Sequence, residues 1–118
     1  MKAVFYHQPK ENYIEDITIN ELIKQAKAHK HKEVHVFHFT AEENNGKKLM
    51  DMGGCFHFDE IESDSIGELN FYSFVGKDVH LMFSKEYDEL SEYAYGGNQE
   101  DVVYLMRFGE LYLWIEME

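Results

Sequence analysis

Leu69-Asn-Phe-Tyr-Ser-Phe-Val-Gly-Lys-Asp-Val-His-Leu-Met-Phe83 is the stretch whose reading decides the fold. Two β-rich runs flank Gly76-Lys77, and glycine at the first central position suits a type II′ hairpin turn, since it enters positive φ without steric cost. A two-residue turn there predicts Val75 opposite Asp78, Phe74 opposite Val79, Tyr72 opposite Leu81 and Phe71 opposite Met82. Side chains alternate with period two, so Leu69, Phe71, Ser73, Val75, His80 and Met82 share one face and Tyr72, Phe74, Val79, Leu81 and Phe83 the other. Neither face is plainly polar. Such a pair belongs in a sheet covered on both sides, or covered on one side and partnered on the other.

Upstream of the hairpin, Lys2–His7 alternates weakly and reads as a short first strand ended by Gln8-Pro9. Thr18 with Glu21 three residues on is a capping box, and Ile17 can staple against Leu22. Ile19, Leu22, Ile23 and Ala26 recur at helical spacing, which predicts a helix from Ile19 to His29 or His31 with one apolar stripe. Glu33–Phe39 is the next strand. From Thr40 to Gly54 the periodicity fails, so this stretch reads as a functional loop. Cys55–Glu60 resumes as strand, and Glu62–Gly67 reads as an acidic loop. Strands 55–60, 69–75 and 78–84 are expected to form an antiparallel meander.

Downstream, Ser84 precedes Tyr87, Leu90 and Ala94, a spacing that predicts a short second helix over 85–94 stopped by Gly96-Gly97. A second hairpin, Val102–Phe108 and Leu111–Met117, turns on Gly109-Glu110. Its register puts Val102, Tyr104, Met106, Phe108, Leu111, Leu113, Ile115 and Met117 on a core face. Opposite them, Arg107 pairs with Tyr112, Leu105 with Trp114 and Val103 with Glu116. The expected fold is α+β, an antiparallel sheet of about six strands in the order β-α-β-β-β-β-α-β-β with a helix packed on one face. Residues 1–118 are expected to form a single domain.

The charge is uneven. The chain carries 11 Lys+Arg against 23 Asp+Glu, a net of −12. Residues 1–32 hold six Lys and four acids, net +2, and the other 86 hold five basic and nineteen acidic groups, net −14. A body of that sign repels nucleic acid and anionic lipid and attracts basic proteins. One cysteine excludes an internal disulfide, the opening Met-Lys-Ala-Val-Phe-Tyr-His has no apolar h-region, and the longest apolar run, Val102–Met106, is too short to span a bilayer. A cytoplasmic location is expected.

Seven histidines raise the question of a metal. The best candidate set is Cys55, His57 and Asp59 on one strand face with His80 nearby, yet its spacing matches no zinc signature. His29, His31, His35 and His38 do not converge, because His35 and His38 point to opposite strand faces. Nucleophilic work by Cys55 wants an electropositive setting that this acidic region lacks. The sequence therefore predicts no catalytic residues, no cofactor, no resident metal and an unreactive thiol. Tyr72, Phe74, Leu81, Leu105, Tyr112 and Trp114 exceed what one helix can cover, so that face is either core covered by the second helix and the 40–54 loop or a partner or homodimer interface.

These features point to a non-enzymatic acidic binding protein, an inhibitor that occupies a basic, nucleic-acid-handling site of a nuclease, toxin or similar protein. Toxin-neutralising immunity proteins and phage-encoded inhibitors of host defence act in that way. The expected contact residues are Asp59, Glu60, Glu62, Asp64 and Glu68 around the meander, Glu86, Asp88, Glu89, Glu92, Glu100 and Asp101 around the second helix, and Tyr72, Tyr112 and Trp114. Two alternatives remain: a small hydrolytic or metal-dependent enzyme using Cys55, His57, Asp59 and His80, and a small-molecule-binding or oligomeric sheet domain with an aromatic pocket.

Overall fold

A computed structural model describes residues 13–41, 48–95 and 101–118, with the backbone alone for 39–41, 48–52, 95 and 101. The strand expected at Lys2–His7 and the carboxylate of Glu100 lie outside these residues. Among the described residues the chain runs β1 (Tyr13–Asp16), α1 (Ile19–Ala28), β2 (Lys32–Ala41), β3 (Lys48–His57), β4 (Glu60–Ile66), β5 (Leu69–Val75), β6 (His80–Ser84), β7 (Glu89–Tyr95), β8 (Asp101–Phe108) and β9 (Leu111–Met117). The strands divide into a six-stranded sheet, β1-β7-β8-β9-β2-β3, and a three-stranded sheet, β4-β5-β6. All pairings are antiparallel. The α+β class holds, whereas the order of elements differs from expectation.

Helix α1 starts where the capping box puts it, with the Glu21 amide donating to Thr18 Oγ1 at 3.3 Å. It buries Leu22 and Ala26 and ends at Ala28. Side chains then take up its carboxyl-terminal carbonyls: His29 Nδ1 donates to Gln25 O at 2.7 Å, and the buried Lys32 ammonium donates to His29 O at 2.6 Å. The main core lies between one face of the large sheet and the layer formed by α1 and the small sheet. Leu22, Val34, Phe58, Ile61, Tyr72, Phe74, Leu90, Met106, Leu113 and Ile115 meet there. On the other face of the large sheet Phe37, Tyr93, Val103, Leu105 and Trp114 are also buried.

The β8–β9 hairpin has the expected register, with Leu105 opposite Trp114, Arg107 opposite Tyr112, and Gly109 at φ 61°. The opening hairpin does not. Phe74 pairs with Leu81 and Val75 with His80, and the connection is four residues long, closed by the Gly76 amide donating to Val79 O at 2.9 Å. The shift is by two residues, so the expected face lists survive. Gly76 does not adopt positive φ. Its glycine is required by close approach, since a Cβ there would lie 2.6 Å from His57 O and 3.1 Å from Phe58 Cα.

Three other expectations fail for physical reasons. The stretch 48–54, read as part of a loop, is strand β3, and Gly53-Gly54 absorbs a bulge between Val36 and Phe37 rather than ending an element. Glu62–Gly67, read as a loop for lack of apolar residues, is mostly strand β4. At the edge of its sheet β4 needs to bury only Ile61, and it turns into β5 on Gly67 at φ 63°. The meander is therefore β4-β5-β6, and Cys55–His57 belongs to the other sheet. The expected second helix is absent. The Glu86 amide does donate to Ser84 Oγ at 3.1 Å, but Glu89–Tyr95 forms β7, paired with β1 and β8. Its Leu90 and Ala94 also fit a strand period, and two flanking strands decide the case.

Candidate functional site

The register of β9-β2-β3 collects polar side chains at one corner of the large sheet. Glu33 and His35 alternate onto one face of β2. Glu33 is opposite His57 on β3 and Glu116 on β9, and His35 is opposite Cys55. Cross-strand partners on one face stand within side-chain reach, and these five converge. His57 Nε2 lies 3.1 Å from Glu33 Oε1. Glu33 Oε2 lies 3.5 Å from His35 Nε2 and 3.9 Å from Cys55 Sγ, and Sγ is 3.8 Å from His35 Nε2. Glu116 Oε2 is 3.4 Å from the same imidazole nitrogen. Stacking against Phe37, 6.4 Å away at 17°, orients the His35 ring.

Burial first, then the carboxylates of Glu33 and Glu116, push the Cys55 thiol up from its ordinary value. That leaves it a poor nucleophile at neutral pH. The set expected from sequence is only half assembled. Asp59 is exposed in the β3–β4 connection, and His80 Nε2 bonds Ser73 Oγ at 3.2 Å in the small sheet. Glu33, His35 and Glu116 take the places of Asp59 and His80. The signal was Glu33-x-His35 facing Cys55-x-His57, but it becomes readable only once β2 and β3 are paired in register.

A second polar site is a cavity of about 360 Å³ lined by Glu15, Asp16, Ile17, Thr18, Glu21, Gln25, Glu92 and Tyr104. It lies at the opposite edge of the sheet, where β1, the start of α1, β7 and β8 meet. Of the eight described residues that line it, four are acidic and none is basic. Burial and the neighbouring Glu15 carboxylate raise the pKa of Glu92. Burial, with the charges of Glu92 and Glu21, raises that of Tyr104. Of these acids only Glu92 was expected from sequence. Glu15, Asp16 and Glu21 were masked by the lysines that make the first third net basic.

The remaining expected contact residues are scattered. Glu60, Glu62 and Asp64 line one face of β4 and are exposed, with the Glu62 carboxyl raised by a hydrogen bond to, and the charge of, Glu60. Glu68 is exposed in the β4–β5 turn, and Glu86 is exposed after β6. Asp88 accepts from the Gly109 amide at 2.6 Å and lies 3.8 Å from Arg107 Nε, so it holds the β8–β9 turn. Glu89 accepts from the Tyr93 hydroxyl at 3.3 Å and lies 3.3 Å from the Ser91 hydroxyl, which donates to Asp16 Oδ1 at 2.8 Å, and the strand period sends Glu89 to the face opposite Glu92. Of Asp101 only the backbone in β8 is described. Tyr72 and Trp114 are buried within the single chain, at 8% and 3% exposure, and Tyr112 is half-buried. Tyr72 and Trp114 are core, not contact surface.

Among the described residues the fold is α+β, with two antiparallel sheets, an acidic cavity and a mixed thiol, imidazole and carboxylate cluster. Comparison with protein-family models, curated proteins and solved structures gives no match to this chain. No helix among the described residues is long and apolar enough to cross a membrane.

Proposed function

We propose that this protein is a non-enzymatic acidic binding protein, an inhibitor that occupies a basic, nucleic-acid-handling site of a partner protein. The observation that carries the reading is the Glu15, Asp16, Glu21 and Glu92 cavity, concave and without a basic residue among the described residues of its lining. Acids kept for solubility alone are spread over open surface, where each interacts weakly with its neighbours. Here they line one concavity, and half-buried Glu92 bears an electrostatic cost, visible in its raised carboxyl. A guanidinium or ammonium group from a partner removes that cost. Exposed carboxylates on β4 extend the negative field and steer such a partner toward the protein. The same field opposes nucleic acid and anionic lipid as direct ligands.

The test uses an arginine-rich peptide, a glutamate-rich peptide and a short DNA duplex as probes of the immobilised protein. Only the arginine-rich peptide is expected to bind, with an affinity that falls steeply as salt is raised. The double variant Glu15→Gln/Glu92→Gln is expected to bind it at least about tenfold more weakly, a change of about 1.4 kcal/mol. Binding of the duplex, or unchanged peptide binding by the variant, would overturn the reading.

A further inference from the structure

The Glu33, His35 and Cys55 cluster is not used by the acidic-cavity reading, and its geometry is that of a coordination shell. In a tetrahedral zinc site the metal lies about 2.3 Å from sulfur and about 2.0–2.2 Å from nitrogen and oxygen, so ligand atoms stand roughly 3.4 Å apart for N and O and roughly 3.6 Å apart when one is S. The three ligand atoms here are separated by 3.5 Å (Glu33 Oε2 to His35 Nε2), 3.8 Å (His35 Nε2 to Cys55 Sγ) and 3.9 Å (Glu33 Oε2 to Cys55 Sγ). Each edge is within about 0.4 Å of the tetrahedral value. Glu116 Oε2, 3.4 Å from His35 Nε2, adds negative charge beside the three without closing with them.

Hydrogen bonding accounts for these spacings poorly. A good N–H···O bond is about 2.7–3.2 Å long, shorter than either carboxylate contact of His35. The single proton of Nε2 can also serve only one of the three acceptors around it. By contrast, His57 makes an ordinary 3.1 Å contact to Glu33 Oε1, which leaves Oε2 turned toward His35 and Cys55. That division of the carboxylate is how an outer partner orients a metal ligand.

We propose that Glu33, His35 and Cys55 bind one divalent transition-metal ion, zinc by the chemistry of the donor set, with the fourth position left to water, Glu116 beside His35 and His57 positioning Glu33. Thiolate with imidazole selects zinc over magnesium or calcium, which prefer all-oxygen shells. On binding, the Cys55 thiol proton passes to solvent and the sulfur bonds the metal. The ion ties edge strand β3 to β2. The proposal stands independently of the acidic cavity, which shares none of these residues.

The test is titration of the chelator-treated full chain with Co²⁺, followed by displacement with Zn²⁺. Stoichiometry is read by elemental analysis and the thiolate bond by the sulfur-to-cobalt charge-transfer absorption. One ion per chain with that absorption is expected. Cys55→Ser removes the absorption. His35→Ala and Glu33→Ala abolish stoichiometric uptake, and His57→Ala weakens it by about 10–100-fold. Asp59→Asn and His80→Ala leave uptake unchanged. Circular dichroism of each variant separates loss of ligand from loss of fold, and Cys55 is exposed, so its serine variant is expected to fold. A wild-type chain that takes up no ion would overturn the proposal. So would uptake that survives Cys55→Ser and His35→Ala with the absorption intact, or uptake lost on replacing Asp59 or His80.

Discussion

The Glu33, His35, Cys55 corner and the Glu15, Glu92 cavity sit at opposite edges and on opposite faces of one six-stranded sheet. Both concentrate negative charge in a partly buried place, yet they differ in donor chemistry. The corner mixes sulfur, nitrogen and oxygen at distances set by strand register, which suits a compact ion of fixed geometry. The cavity offers four carboxylates, with a hydroxyl, an amide and a phenol, around a volume of about 360 Å³, room enough for a larger organic cation. Ligand class therefore follows from spacing and atom type rather than from net charge. Separate elements build the two sites, so a substitution that damages one leaves the other as an internal control.

The largest effect that separates them is expected from Gly76→Ala. The new Cβ would press on His57 O and Phe58 Cα, which are backbone atoms at the end of β3 and cannot rotate away. Overpacking of this kind costs about 1–3 kcal/mol. Thermal unfolding should show the loss, and Co²⁺ uptake at the corner should weaken because His57 is displaced. Binding of the arginine-rich peptide to the surviving folded protein should be unchanged. Equal damage to both sites would mean that the corner and the cavity are mechanically one unit.

Asp88 comes next. It lies among the acids of the β6–β7 region, but its carboxylate accepts from the Gly109 amide and neighbours Arg107. A charge-assisted hydrogen bond contributes about 1.5–3 kcal/mol when well shielded, and Asp88 is half exposed, so Asp88→Ala is expected to cost about 1 kcal/mol. Denaturant unfolding measures this. Neither peptide binding nor ion uptake should change. Loss of peptide binding without loss of stability would move the contact surface from the cavity to the β6–β7 side.

What the sequence disclosed about the fold depended on how local the deciding contact is. The Gly109-Glu110 hairpin was legible in full, because a two-residue turn with glycine at positive φ fixes its own register. The same reasoning misplaced Gly76-Lys77, where glycine answers to a neighbour in another element. β7 read as a helix because Tyr87, Leu90 and Ala94 mimic a helical stripe over a short span. Only its position between β1 and β8 makes it a strand. The site was legible in proportion. Cys55 and His57 could be paired by alternation within β3, whereas Glu33, His35 and Glu116 join them only through two strand pairings. One of those strands contains a bulge at a glycine pair that reads as a break. Likewise, the cavity acids come from β1, α1 and β7, and no window of sequence contains them together.

The smallest effect is the one that best probes the cavity. Glu92 has a carboxyl pKa raised in the folded state, by burial first and then by the charge and hydrogen bond of Glu15. A raised carboxyl means that the folded chain holds that proton more tightly than the unfolded chain. Stability is thus favoured while the pH is below the unfolded value, which for a glutamate is 4.5, and is lost as the pH rises through the higher folded value. At neutral pH the charged Glu92 is a liability to folding, so Glu92→Gln should raise the melting temperature there. The gain should stay below about 1 kcal/mol, because the group is only half-buried and water still screens it. It should shrink as the pH falls, because the native carboxyl takes up its proton at a higher pH than the unfolded chain's does. The same variant should bind the arginine-rich peptide more weakly. A chain that becomes more stable as it loses affinity is what a charge retained for a cationic partner produces. If Glu92→Gln instead lowered the melting temperature at neutral pH, the carboxylate would be a structural group, and the cavity would lose its standing as the contact site.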